Sequence, residues 1–129
     1  MDALIQAIAT TFDNNANLVA VATGGLHLSE GPTESTDPYI VFLVTEIPFW
    51  GFKIDYERYL ITFVLVSSTR GAAEIMSLYT KLKACFDESG MSVTGYINIR
   101  FYRVTSGPIE RVDDKWTLSV QYECYLEET

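Results

Sequence analysis

The stretch Lys115-Trp116-Thr117-Leu118-Ser119-Val120-Gln121-Tyr122-Glu123-Cys124-Tyr125-Leu126 decides the fold. Trp116, Leu118, Val120, Tyr122, Cys124 and Leu126 alternate with Lys115, Thr117, Ser119, Gln121 and Glu123. A period of two puts the apolar row on one side of an extended chain and the polar row on the other. A slip of one residue would turn the whole apolar row to water, so the register of this strand is tightly specified. Such a half-buried strand needs partners beside it and a second layer over its apolar side.

Working outward, residues 95–104 read as the preceding strand, with Ile97, Ile99 and Phe101 alternating against Tyr96, Asn98, Arg100 and Tyr102. Residues 105–114 between the two are polar and charged, which predicts a protruding hairpin loop. Upstream, Ala72, Ile75, Met76, Tyr79, Leu82 and Phe86 recur at the spacing of one helical face that ends near Gly90. Ser67, Ser68 and Thr69 offer N-caps for it. Residues 56–66 alternate over a long strand with both faces covered, Glu57, Tyr59, Ile61, Phe63 and Leu65 on one side and Tyr56, Arg58, Leu60, Thr62, Val64 and Val66 on the other. Residues 39–45 are β-branched and aromatic and follow Pro38, which biases Asp37 away from helix.

At the start of the chain, Asp2 is placed to cap a helix whose apolar face is Leu4, Ile5, Ile8 and Phe12. Asp13-Asn14-Asn15 breaks it, because these side chains compete for backbone hydrogen bonds. Residues 16–22 read as a short second helix or a strand that stops at Gly24-Gly25, then Leu26-His27-Leu28 as a short extended piece, then a loop over residues 29–38. The order is α-(α)-β-β-α-β-β. It predicts an α+β two-layer sandwich in which a mainly antiparallel four-stranded sheet is packed by an N-terminal helix and a central helix. With 129 residues and 48% apolar content, residues 1–129 form a single domain with one core.

Composition narrows the function. Seventeen acidic against nine basic residues give a net charge of −8, which offers no general attraction to the phosphates of nucleic acid. The longest apolar runs, residues 39–44 and 60–66, are far below the roughly 20 residues a membrane span needs, so no membrane contact is expected. Cys85 and Cys124 fall on or beside apolar faces and read as small core residues, consistent with synthesis in a reducing cytoplasm.

Catalytic chemistry is hard to place. His27 is the one histidine, and it reads as a loop-bonded or exposed residue. No CxxC, HExxH or EF-hand spacing points to a metal, and Gly24-Gly25 lacks the frame that presents several N–H groups to phosphates. Ser67-Ser68 has no nucleophile-elbow pattern or partner histidine. The pairs Asp87-Glu88, Asp113-Asp114 and Glu127-Glu128 lie near loops or the end of the chain, where carboxylates are solvated. The expectation is a protein that is no enzyme and uses no cofactor or metal.

Contact surfaces are easier to place. Residues 46–55 join two strands yet contain Ile47, Phe49, Trp50 and Phe52, which either fold back over the core or anchor a partner. The more polar strand faces carry Tyr56, Arg58, Tyr96, Arg100, Tyr102 and Gln121, with Glu123 beside them. Tyr and Arg are favoured at protein interfaces; cross-strand pairing on a wet sheet is the plainer alternative.

In the order of these features the chain resembles the small tail-terminator or tail-completion proteins of long-tailed bacteriophages. The resemblance runs through the N-terminal amphipathic helix, Gly24-Gly25-Leu26, and Pro38-Tyr39-Ile40-Val41-Phe42. It continues through the long strand from Glu57 to Phe63, the helix start Gly71-Ala72-Ala73-Glu74, Gly95-Tyr96 opening a strand, Arg103 late in it, and the final Trp-led strand from Trp116 to Glu128. His27 departs from the aromatic common after the glycine step, and Phe49-Trp50-Gly51-Phe52 is bulkier than usual.

The resemblance implies a structural virion protein that forms a ring, a homo-hexamer when assembled, at the head-proximal end of the tail tube. Such a ring ends tube growth and joins the tail to the head. It also implies a location in the tail or neck of the virion after synthesis in the host cytoplasm. The implied partners are further copies of the chain, the tail tube protein, a head–tail connector protein, and genomic DNA that passes through without specific binding. Arg103 joins the candidate interface on this ground. Two other readings stay open from the residues alone: a head-completion or connector protein of the neck, and a small-ligand-binding regulatory α+β domain that uses Phe49, Trp50 and Phe52 as a pocket wall.

Overall fold

Leu4, Ala7, Ile8 and Phe12 come round to one side of a helix every three or four residues, and burying that side holds α1 (Asp2–Asp13) against the rest of the chain. A computed structural model of the protein describes residues 1–29, 38–47, 56–68, 72–87 and 91–128. Helix α1 begins at Asp2 itself with Met1 as N-cap, so the expected Asp2 cap is not formed; the carboxylate sits in the first turn instead, where it favours the helix dipole. Asn15 does cap the next helix, α2 (Ala16–Val21), by accepting from the Leu18 N–H at 3.0 Å.

The sheet has five strands among the described residues, in the order β1-β2-β3-β5-β4. They are β1 (Leu26–Leu28), β2 (Tyr39–Ile47), β3 (Tyr56–Ser67), β4 (Tyr96–Val112) and β5 (Lys115–Glu128). β2, β3, β5 and β4 pair antiparallel, as the alternation predicts. The four-stranded expectation needs correcting at the margin, where β1 adds a parallel fifth strand to β2. A three-residue strand is too short to show a period. It is set in place by Gly25, whose φ of +83° turns the chain and whose carbonyl accepts from the Ile40 N–H at 2.9 Å.

A second correction concerns residues 105–114, expected as a loop. They continue β4 almost to the hairpin turn, with Thr105 opposite Gln121, Ile109 opposite Leu118 and Val112 opposite Lys115. A polar sequence is compatible with strand wherever both sides of the strand meet water, and a margin strand is such a place. Three register shifts bend this strand, between Ile97 and Arg100, Arg103 and Thr105, and Ser106 and Ile109. The turn itself is Asp113-Asp114, with φ of +50° and +63°, the left-handed pair that a two-residue hairpin requires.

Helix α3 (Ala73–Phe86) crosses the same side of the sheet as α1 and α2 and packs on β3 and β5. Its N-cap is Ala72, so the serines upstream do not cap it; Ser67 is buried and donates its hydroxyl to the Glu74 carboxylate at 2.5 Å. The core between helices and sheet contains Ile40, Phe42, Ile61, Phe63, Leu65, Phe101, Leu118, Val120, Tyr122, Cys124 and Leu126. Its centre is aromatic: Phe63 and Phe86 lie 4.8 Å apart and Phe101 stacks on Tyr122 at 4.9 Å. Such ring pairs add about 0.5–1.5 kcal/mol each beyond their burial. Cys85 and Cys124 are buried and unbridged, and desolvation pushes their thiols up to about 11 and about 12.

Candidate interaction surface

With all three helices on one side, alternation leaves a second sheet face that no described helix covers. β2 brings Val41 and Leu43 to it, β3 brings Arg58, Leu60, Thr62 and Val64, and β5 brings Thr117, Ser119, Gln121, Glu123 and Tyr125. From β4, Arg100 stands opposite Tyr125 and Tyr102 opposite Glu123. The register thus assembles Arg58, Arg100, Tyr102, Gln121 and Glu123 on one surface. The long β3 strand is covered unequally. Its helix-side residues are buried, whereas Leu60, Thr62 and Val64 are half-buried.

Glu123 is the hub of this face. Its carboxylate is hydrogen-bonded and ion-paired to Arg58, and accepts from the Tyr102 hydroxyl at 2.9 Å and the Tyr125 hydroxyl at 3.5 Å. The Tyr102 and Tyr125 rings stack at 6.0 Å, and the Arg58 guanidinium lies 5.8 Å from the Tyr125 centroid. The hydrogen bond from Arg58 and, beyond the opposing effect of burial, that from Tyr102 hold the Glu123 carboxyl below its ordinary range. The Tyr102 hydroxyl is pushed well up, first by its contact with Tyr125. Neither group is poised near neutrality, so the cluster is a fixed arrangement of charge and rings with no proton to exchange at pH 7. Tyr125 is part of it although the interface reading leaves it out; continuing the alternation two residues past Glu123 finds it.

Arg103 goes elsewhere. Opposite Tyr122 in the register, it points to the helix side, where Nη2 lies 3.4 Å from the Asp87 carboxylate and Nη1 donates to the Tyr79 hydroxyl at 2.6 Å. Tyr79 donates in turn to the Ser106 hydroxyl at 2.7 Å, and Tyr122 donates to Asp87 at 2.5 Å. This network ties the end of α3 to β4; burial, and after it the hydrogen bond to Asp87, raises the Tyr122 hydroxyl far above its usual range. In the sequence Tyr79 reads as part of a core stripe and Asp87 as a solvated carboxylate, and neither reading connects them to Arg103.

Phe49, Trp50 and Phe52 lie outside the described residues. Tyr56 opens β3 opposite Glu127 in the backbone register. His27 is satisfied locally, with Nε2 2.6 Å from the Gly24 carbonyl and its ring edge-on to Tyr39.

An open groove of about 560 Å³ separates α1 from the residues around Cys85 and Met91. Gln6, Thr10, Thr11, Asn14, Asn15, Ser92 and Thr94 give it a neutral polar lining with Cys85 at its wall. A thiol with its pKa near 11 is protonated at pH 7 and a poor nucleophile, and no carboxylate, imidazole or ammonium group among the described lining residues can act as its base. Among the described residues, no three His, Cys, Asp or Glu side chains gather as a metal site, and no helix is long and apolar enough to cross a membrane.

No protein-family model matches the chain, and no curated protein matches it in sequence. Its fold does match solved structures. A chain of the virion of a native gene transfer agent (GTA) particle superposes with a TM-score of 0.75 at 12% identity, over 95% of this chain and 92% of that one. A second solved chain, whose name states no activity, gives a TM-score of 0.70 at 12% identity over 96% of both.

Proposed function

We propose that the chain is a structural, non-catalytic virion protein. In this reading, copies of it form a ring, hexameric when assembled, on the head-proximal end of a phage-type tail tube, end the growth of the tube and join it to the head through a connector protein. The observation that carries the reading is the fold shared over nearly the full length of both chains with a component of a gene transfer agent virion. The order of sequence features, from the glycine step at Gly24-Gly25 to the final Trp-led strand, supports the same assignment.

The surface chemistry supports it as well. A ring needs side-chain contacts on more than one side of each subunit, and the sheet face without helices offers ordered rings and paired charge. The net charge of −8 suits a conduit through which DNA passes without being held, because like charge removes the phosphate-binding term. The ring would stand in the neck of the particle.

Electron microscopy of particles encoding this chain, with the chain labelled, tests the proposal. The expected result is label at the junction of tail and head, and overlong tubes when the gene is deleted. Label elsewhere overturns it, and leaking heads with tubes of normal length on deletion reassign the chain to the connector.

A further inference from the structure

Helix α3 packs on β3 and β5, and the outer strand β4 runs past it on the same side of the sheet. Antiparallel partners share a face, so the β4 residues opposite the core row of β5 are turned to the helix side. These are Arg103 opposite Tyr122, Ser106 opposite Val120, Ile109 opposite Leu118 and Arg111 opposite Trp116, and all four are exposed. On α3, Met76, Tyr79, Lys83 and Asp87 recur every three or four residues along the side that meets this row. Tyr79 bonds Ser106 and Asp87 pairs with Arg103, which sets the two rows side by side. The helix starts near Trp116, since Ser67 lies opposite Trp116 and bonds Glu74, so Met76 is at the Ile109 end and Lys83 at the Arg103 end. From Trp116 to Tyr122 the surface is roughly 20 Å long.

Its charge departs from that of the whole chain. It carries three cations, Lys83, Arg103 and Arg111, and one carboxylate, Asp87, in a molecule whose net charge is −8. Asp87 is already engaged by Arg103 and by the Tyr122 hydroxyl. Glu110, opposite Thr117, is turned to the other face of the sheet, and Asp113 and Asp114 lie beyond Arg111 in the hairpin turn. Among the described residues no carboxylate pairs with Lys83 or Arg111. Each lies over a ring instead, Lys83 4.4 Å from the Tyr79 centroid and Arg111 5.3 Å from that of Trp116. A ring holds a cation in place without neutralising it. Two oriented cations therefore mark the ends of the surface, with Met76 40% and Ile109 42% exposed between them.

Fixed cations on either side of exposed apolar side chains suit an acidic, partly apolar protein segment. A phosphate backbone is a poorer match, because it gains nothing from Met76 or Ile109 and is repelled by a net negative molecule. We infer that the α3–β4 surface docks an acidic segment of a partner protein, with carboxylates on Lys83 and Arg111 and an apolar side chain on Met76 and Ile109. The inference goes beyond the ring reading and does not rest on it, since nothing in it requires a tail tube or a second copy.

The probe is a short capped peptide with a pair of glutamates at each end and leucines between them. It is titrated into the isotope-labelled full chain and followed by amide NMR. Shifts are expected at Tyr79, Lys83, Ile109 and Arg111 and at the Trp116 indole N–H. Lys83→Glu with Arg111→Glu should weaken binding at least about tenfold. Met76→Ser with Ile109→Ser should weaken it severalfold. Lys81→Glu makes the same charge change nearly opposite Lys83 round the helix and should leave the affinity within about twofold in physiological salt. Near-ultraviolet circular dichroism and thermal unfolding establish that the variants fold, and Lys83→Gln with Arg111→Gln replaces the charge reversal if it disturbs the fold. Arg103 is left unaltered because it ties α3 to β4.

No shifts, or shifts confined to other surfaces, overturn the inference. Equal weakening by Lys81→Glu overturns it too, since net charge alone would then account for binding. So does an oligonucleotide of the same charge that binds as tightly at the same residues, which would make this a phosphate surface. The same shifts produced by unlabelled chain in place of peptide would make the occupant a second copy and overturn the assignment to an acidic partner.

Discussion

Residues 62 and 63 sit side by side on β3 and belong to different worlds. Phe63 is fully buried among Phe42, Phe86 and Tyr122 on the helix side, whereas Thr62 is half-buried on the other face, where its hydroxyl accepts from Gln121 at 3.5 Å. The difference teaches that one face of this sheet is packed by helices and carries the fold, while the other is left open among the described residues. The sharpest way to break that division is to truncate both. Phe63→Ala should cost about 3–5 kcal/mol, the range for removing a buried ring. Thr62→Ala should cost less than about 1 kcal/mol, because only a long, partly solvated hydrogen bond is lost. Urea unfolding of the two variants measures both, and equal losses would mean that the face without helices is a second core.

How legible each face is in sequence follows from the same division. The helix side could be read almost completely, because Ile61, Phe63, Leu118, Val120 and Tyr122 are selected for burial and burial imposes a period. The turn of β4 into a long marginal strand was hidden, because residues such as Ser106, Glu110 and Arg111 meet water in a loop and on an outer strand alike. The open face was legible as composition and not as connection. Arg58 and Glu123 are 65 residues apart in sequence, and only the pairing of β3 with β5 brings them together. Arg103 shows the reverse: chosen by resemblance for an interface, it is engaged by Tyr79 and Asp87 within the chain.

The helix-side network gives the next effect in size. Tyr122→Phe removes the hydroxyl that Asp87 accepts and keeps the ring that packs on Phe63 and Phe101. A loss of about 1.5–3 kcal/mol is expected, as for a hydrogen bond to a charged group, with Arg103 still balancing the carboxylate. Thermal unfolding checks it. A loss as large as that of Phe63→Ala would place Asp87 at the centre of the fold.

On the open face, Glu123→Gln should have a smaller effect that depends on pH, since an ion pair that water still reaches contributes little. The sign follows from the lowered carboxyl: the folded protein holds Glu123 ionised more strongly than the unfolded chain does. Its contribution is therefore complete above the ordinary value of 4.5 and lost as pH falls through the lower folded value. The gap in stability between Glu123→Gln and the unaltered chain should be open at pH 7 and close in acid. A gap that widens in acid would mean the Arg58 pairing is not what Glu123 contributes.

The smallest expected effect lies at the hairpin turn that joins β4 to β5. Asp113 and Asp114 both hold positive φ, which costs a residue with a side chain roughly 1–2 kcal/mol and glycine nothing comparable. Aspartate followed by glycine is a favoured pair for such a turn, and the substitution also removes one of two adjacent like charges. Against this, glycine surrenders more freedom on folding. The balance for Asp114→Gly is a gain of up to about 1 kcal/mol, read as a shift of the urea midpoint with an unchanged slope. A midpoint that falls instead would mean that the Asp114 side chain contributes more to the turn than its backbone conformation costs.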